Sequence, residues 1–518
     1  TNDSTFKNLK VRFKDVNIGN LIPKVDSLKL NGNINGDLSI LQKKGVYFPS
    51  SNIIIDSINV NDIEMGDLTI AILGNKNLTR YDINTSLVNN HIKSLNSTGY
   101  IETKSTQTDI QLNIELNEFN LGAISPFGAS VITNIRGLMS GKGRVSGNLN
   151  SPDMFGDFIL KKSGLKVPYL NIDFDLEDTT KLKITEEKLE ISKTNITDTK
   201  YLTKGILTGN ATHKNFRNWK LNLNIDSDNL LVLNTPPDEN QSYYGTAFIS
   251  GTTHIHGPIN ELIIDVNATT EKNTIFKIPL SNTETIGDNS FINFLSPKEK
   301  EDKLLGETIV TNDLKGLALN FELDINKNAE IEIVIDQNTK SALRGKGAGT
   351  LLIEINTLGK FNMWGDFIVY EGIYDFRYGK IIRKEIEVER GGTITWDGLA
   401  SNANLNLKAI YKTKANPSAL LDDPTINRKI PVEVFIDLTN NITQPDLLFD
   451  ISFPDVSSTV RSELEYRLQT SEEREKQALF LLTTGAFISN TAGQSAVSGT
   501  VTDGVNAILA QILTDDDA

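Results

Sequence analysis

Strict alternation of apolar and polar residues over short runs is what most constrains this chain. Ile110-Gln111-Leu112-Asn113-Ile114-Glu115-Leu116 puts four aliphatic side chains on one face of an extended strand and three polar ones on the other. The same pattern places Leu221, Leu223 and Ile225 on one face, and likewise Leu319, Phe321, Leu323 and Ile325. It returns at Leu405 and Leu407, and again at Val432, Val434 and Ile436. A helix repeats its faces every 3.6 residues, so a period of two belongs to strands. The chain is therefore expected to be all-β, with sheets that are wet on one side and apolar on the other. Taken alone, the runs fit an open sheet with a greasy face or two sheets packed face to face.

Turn residues separate these runs at the spacing of an up-and-down β protein: Asn31-Gly32, Asn35-Gly36-Asp37, Gly147-Asn148 and Gly209-Asn210. At roughly ten to thirteen residues per strand and turn, the β part is expected to hold about 35 to 45 strands. Helical period is scarce before residue 450, with short exceptions at 291–295 and 297–305. A glycine-rich strand followed by a turn recurs at 141–147, 250–258 and 345–350, with a fainter copy at 31–39. Glycine weakens a strand, so its recurrence points to close backbone approach or a bend. The reading is an elongated β array over 1–344, a β region over 345–456 and a helical ending over 457–518. In that ending Val460, Leu464 and Leu468 share a face, and Ser471 reads as an N-cap before Glu472 and Glu473. The helix continues through Leu479, Phe480, Leu481 and Leu482 towards Gly485, and a last apolar stripe runs from Val497 to Leu513.

The chain has 518 residues, too many for one compact core. Acidic residues outnumber basic ones 66 to 52, a net charge of −14, which argues against nucleic acid as a partner. With no cysteine, disulfides, thiolate metal sites and cysteine nucleophiles are excluded. No run approaches the roughly 20 apolar residues of a membrane span. Both ends look like the edges of a fragment, so membrane contact is expected through segments outside this chain.

No reaction centre is expected. His254 and His256 sit at strand spacing and point to one side, but no third ligand is visible in the sequence, so they read as surface or cross-strand histidines. The glycines of 141–147 are followed by a turn, whereas a phosphate loop needs a helix there. The acidic clusters at 299–302 and 472–475 lack the apolar surroundings that split carboxylate pKa values. Neither an enzyme nor a cofactor or metal is expected.

Residues 345–487 are similar to the C-terminal domain of the TamB family, the translocation and assembly module proteins. The matching features occur in order. Gly365-Asp366-Phe367-Ile368-Val369-Tyr370-Glu371-Gly372 is followed by Gly391-Gly392-Thr393-Ile394-Thr395-Trp396-Asp397-Gly398. Next come the strands at 404–409 and 432–438, the Gln444-Pro445-Asp446-Leu447 turn and Ile451-Ser452-Phe453-Pro454. Ser471-Glu472-Glu473 then opens a helix ending Leu481-Leu482-Thr483-Thr484-Gly485. The insert at 416–429 departs from the pattern. The resemblance implies a rolled, taco-like β-sheet with an open apolar groove, located in the periplasm and bridging the inner and outer membranes. It implies phospholipid as cargo and an Omp85-type barrel, BamA- or TamA-like, as partner, with a role in outer-membrane protein assembly as the alternative. The alternating apolar residues named above would line the groove. Leu464, Leu468, Leu479, Phe480, Leu481, Leu482 and Phe487 would plug its end or dock on the barrel.

Overall fold

The computed structural model describes residues 7–21, 28–43, 46–104, 107–128, 131–215, 217–237, 243–280, 316–336, 341–356, 360–378, 382–421 and 427–488. Among them are 26 strands joined in one sheet, with the α-helices short and confined to the C-terminal part, so the chain is all-β. Individual strands are long, reaching 16 residues at Thr133–Asn148 and 19 at Arg217–Thr235. Fewer strands than the sequence arithmetic suggested therefore fill the described residues. The helical pieces expected at 291–295 and 297–305, the acidic cluster at 299–302 and the stripe from Val497 to Leu513 lie outside the described residues. The chain forms two compact units. The first is Thr1–Thr235, Phe248–Ala268 and Glu307–Leu319; the second is Pro236–Ala247, Thr269–Gly306 and Asn320–Ala518.

In the first unit consecutive strands pair antiparallel from Lys7–Asn17 through Ser151–Val167, as the tight turns require. Among the bulges of these strands, four share one construction, with two residues set against one on a neighbour. Phe13 and Val16 face Gly36 and Ile34; Ile55 and Ile58 face Leu68 and Gly66; Leu116 and Phe119 face Gly141 and Met139. On Ser151–Val167 the step lies between Lys161 and Gly164, which face Leu138 and Arg136. Each is a β-bulge with one residue in the left-handed region: Asp15, Ser57, Glu118 and Lys162, with φ from 48 to 54°. The displaced amides are satisfied from the neighbouring strand by Asn35 Oδ1 (2.8 Å), Asp67 Oδ1 (2.9 Å) and Ser140 Oγ (2.9 Å), and for Lys162 by Asp178 Oδ1 (2.6 Å), from the turn between Ile172–Leu176 and Thr180–Thr185.

In the second unit the strands from Ser341 to Ser452 pair antiparallel and share a fully buried core. Ile275–Pro279 instead runs parallel to Glu330–Asp336. Helices span Ser418–Leu421, Ser458–Arg467 and Ser471–Thr484. The last is capped one residue earlier than the sequence suggested: Thr470, not Ser471, accepts the amide of Glu473 at 3.2 Å. Glu472 and Glu473 lie in its first turn, and Gly485 closes it at φ 71°.

Candidate functional site

The registers of the first unit align its apolar side chains into rows that cross the strands. One row steps from Ile53 through Ile70, Thr85, Ser97, Ile114 and the glycine pair Gly143 and Gly156 to Ile184, Leu189, Ala211 and Leu221. A second runs from Ile34 through Ile55, Leu68, Leu87, Leu95, Leu116, Gly141, Phe158, Leu182, Ile191 and Gly209 to Leu223. A third joins Leu38, Ser51, Ile72, Ile83, Gly99, Leu112, Val145 and Met154. Ile101 and Ile110 pair beside it. Alternation within strands thus becomes continuity across them. With strands spaced about 4.8 Å apart, the second row follows roughly 50 Å of sheet.

The rows differ in cover. Ile34, Ile55 and Leu87 of the second row form a buried cluster with Ile18, Ile58, Met65 and Ala123, so protein seals that side. Ile18 and Ala123 belong to the short 3-10 helices Ile18–Asn20 and Leu121–Gly128. Leu223 and Ile225 pack, half-buried, against a second cluster built on Ile172, Phe174 and Leu231. Ile110, Leu112, Ile114, Leu116 and Leu221 are also half-buried, as are Ile72 and Ile83. A recess of about 490 Å³ is lined in part by Ser51, Ile72, Ile83 and Gly99 of the third row.

The glycines inside the rows have a specific cause. The Phe158 ring lies against three of them, 2.8 Å from where a Cβ on Gly141 would stand, 3.1 Å from one on Gly143 and 2.4 Å from one on Gly156. The second unit repeats the device, with the Phe367 ring 2.6 Å from a Cβ on Gly347.

The same alternation is covered by protein at most of its positions further along the chain. Leu319, Ile325, Leu405, Leu407, Val432, Val434 and Ile436 are all buried, while Phe321 and Leu323 are half-buried. The residues considered for docking are buried as well: Leu464, Leu468, Leu479, Phe480, Leu481, Leu482 and Phe487. The Ser471–Thr484 helix packs on the Asp446–Ser452 strand, and Arg474 pairs with Asp450. Gln477, itself buried, donates to the carbonyl of Ile488 (2.7 Å) and accepts its amide (3.0 Å). That pair of bonds brings Phe487 back within 6.2 Å of Phe453, centroid to centroid.

Burial pushes the Tyr374 phenol and the Asp375 carboxyl up and the His213 imidazole down. His213 is buried against the Trp219 ring, centroids 4.5 Å apart and planes tilted by 51°, the setting of a core side chain. The glycine strand at 141–147 runs on through a turn into its partner strand, with no helix to receive a phosphate. His254 and His256 do gather a third potential ligand, Asp265, which the sequence hid because it comes from the next strand. Among the described residues no helix is long and apolar enough to cross a membrane.

Comparison with known proteins gives one informative match. The family model of the TamB C-terminal domain fits residues 194–516, more than half of the chain and well upstream of the segment whose motifs first suggested it. No curated protein and no solved structure matches. A long all-β sheet and a family match of this extent agree: the chain belongs to the TamB family, bacterial envelope proteins with a role in outer-membrane assembly and lipid transport and no known enzymatic activity.

Proposed function

We propose that the first unit shelters phospholipid acyl chains on its cross-strand apolar rows while they pass through the periplasm between inner and outer membrane. The observation that carries this reading is the half-buried state of Leu112, Ile114, Ile72 and Ile83 in mostly apolar rows that run over many strands. Each methylene kept from water contributes about 0.8 kcal/mol, so an acyl chain needs continuous apolar cover to cross an aqueous gap. A strip without a deep pocket gives that cover at every step and holds the chain at none. The polar side chains of the same strands, Asn113 and Glu115 among them, face solvent and keep the outside wet. Membrane contact and docking on an Omp85-type barrel fall to surfaces other than Leu481 and its buried neighbours, whose apolar groups already serve the protein's own core.

The test is a photo-crosslinker placed at Leu112, with mass spectrometry of the lipid bound to the purified protein. Phospholipid adducts at Leu112, with none at the solvent-facing Asn113, are expected. Protein that carries no phospholipid and yields no adduct at Leu112 would falsify the reading.

A further inference from the structure

We propose that His254, His256 and Asp265 form a binding site for a divalent transition-metal ion of the zinc class. The site lies wholly within the first unit and is independent of the lipid reading.

Its geometry follows from strand periodicity. Residues two apart on the Tyr244–Pro258 strand point to one side, and the two imidazoles stack with centroids 4.5 Å apart and planes inclined by 21°. Asp265, on Ile263–Thr270, reaches His256 Nε2 with Oδ2 at 2.8 Å. On the other flank Asn222 Oδ1 lies 2.8 Å from His254 Nε2. One donor atom from each of the three ligands lies within 4.8 Å of the other two. Tetrahedral zinc, with bonds of about 2.0 to 2.2 Å, sets its donors about 3.3 to 3.5 Å apart. The three side chains are part-exposed, so small χ rotations close the difference without moving backbone.

The donor set selects the ion. Two imidazoles and one carboxylate suit zinc, nickel or copper, whereas calcium and magnesium take oxygen ligands alone. The carboxylate offsets half of the ion's charge, in a chain whose net charge of −14 already favours cations. The fourth position is filled by water or by Asn222 Oδ1. Asn222 alternates with Leu221 and Leu223, so the ion sits on the polar face of the sheet, opposite the apolar rows. There it ties the histidine strand to its neighbour and fixes their register.

Full-length chain stripped with EDTA is titrated with zinc chloride by calorimetry and with cobalt chloride by visible absorption. One equivalent is expected to bind saturably, with tetrahedral cobalt bands and a raised thermal midpoint. The double variant H254N/H256N loses this binding, and D265N weakens it by more than about tenfold, the loss that even an outer-sphere partner produces. H91N leaves it intact. In the unaltered chain, zinc protects His254 and His256 from diethyl pyrocarbonate, read by peptide mass spectrometry, so the result does not depend on how any variant folds. Absence of saturable binding, binding that survives the double variant, or equal labelling with and without zinc overturns the site.

Discussion

Asp198 shows how much one side chain can hold. It is fully buried, and its carboxylate accepts the amides of Lys200 (3.0 Å), Tyr201 (2.6 Å) and Thr203 (2.6 Å) and the hydroxyl of Thr203 (2.5 Å). The same hydroxyl oxygen accepts the amide of Leu231, which ties the turn to the Arg217–Thr235 strand. Truncation leaves three turn amides without their acceptor, at about 1 to 3 kcal/mol for each that stays buried. Asp198→Ala is therefore expected to lower unfolding free energy by at least about 3 kcal/mol in urea titration, with Asp198→Asn in between; a loss below about 1 kcal/mol would mean water replaces the carboxylate. Nothing in the sequence separates Asp198 from the other acidic turn residues, because its value comes from the chain folding back over it. The row glycines were half legible in the same sense. Their recurrence announces a close approach at 141–147, but the approaching ring, Phe158, belongs to the partner strand and becomes visible only with the register.

Strands were the most legible elements, since a period of two leaves little choice of fold, and the helix at Ser471–Thr484 was legible to within one capping residue. Bulges were missed although the sequence carries a mark of them. Phe13-Lys14-Asp15-Val16, Ile55-Asp56-Ser57-Ile58 and Leu116-Asn117-Glu118-Phe119 each insert two polar residues where alternation allows one. An extra residue in the left-handed region resets the phase, so Phe119 returns to the face that Leu116 left. Strict alternation counts such a step as the end of a strand, which is why shorter and more numerous strands were expected. The side chain that receives the displaced amide is then part of the bulge. Asp67→Ala removes the acceptor of the Ser57 amide and is expected to cost about 1 to 2 kcal/mol, with local amide exchange rising around residues 55–58. Exchange that stays at wild-type rates there would show that the bulge holds without its acceptor.

Across the whole molecule one sequence pattern serves two physical ends, and the pattern alone does not tell them apart. Leu112 and Leu407 both alternate with polar neighbours on antiparallel strands. Leu407 is 2% exposed in a core closed by the chain itself, whereas Leu112 is half-buried within its own sheet. What decides is a second layer, and a second layer is supplied by residues far away in sequence, beyond the reach of any local period. The family resemblance implies an open face throughout; burial gives the later strands the character of a core and leaves the half-buried rows of the first unit as the place proposed for that face. A charge tests the difference directly. At Leu407 a carboxylate has no water and no partner, so Leu407→Glu is expected to unfold the second unit or lower its thermal midpoint by many degrees. At Leu112 the longer glutamate side chain reaches solvent, so Leu112→Glu is expected to stay folded, with a stability loss of about 1 kcal/mol or less, and to lose bound phospholipid because charge now interrupts the row. Calorimetry and lipid analysis of the two variants side by side separate an open row from a closed core. If Leu112→Glu destabilises as severely as Leu407→Glu, the rows are covered by protein after all, and no acyl chain has room on them.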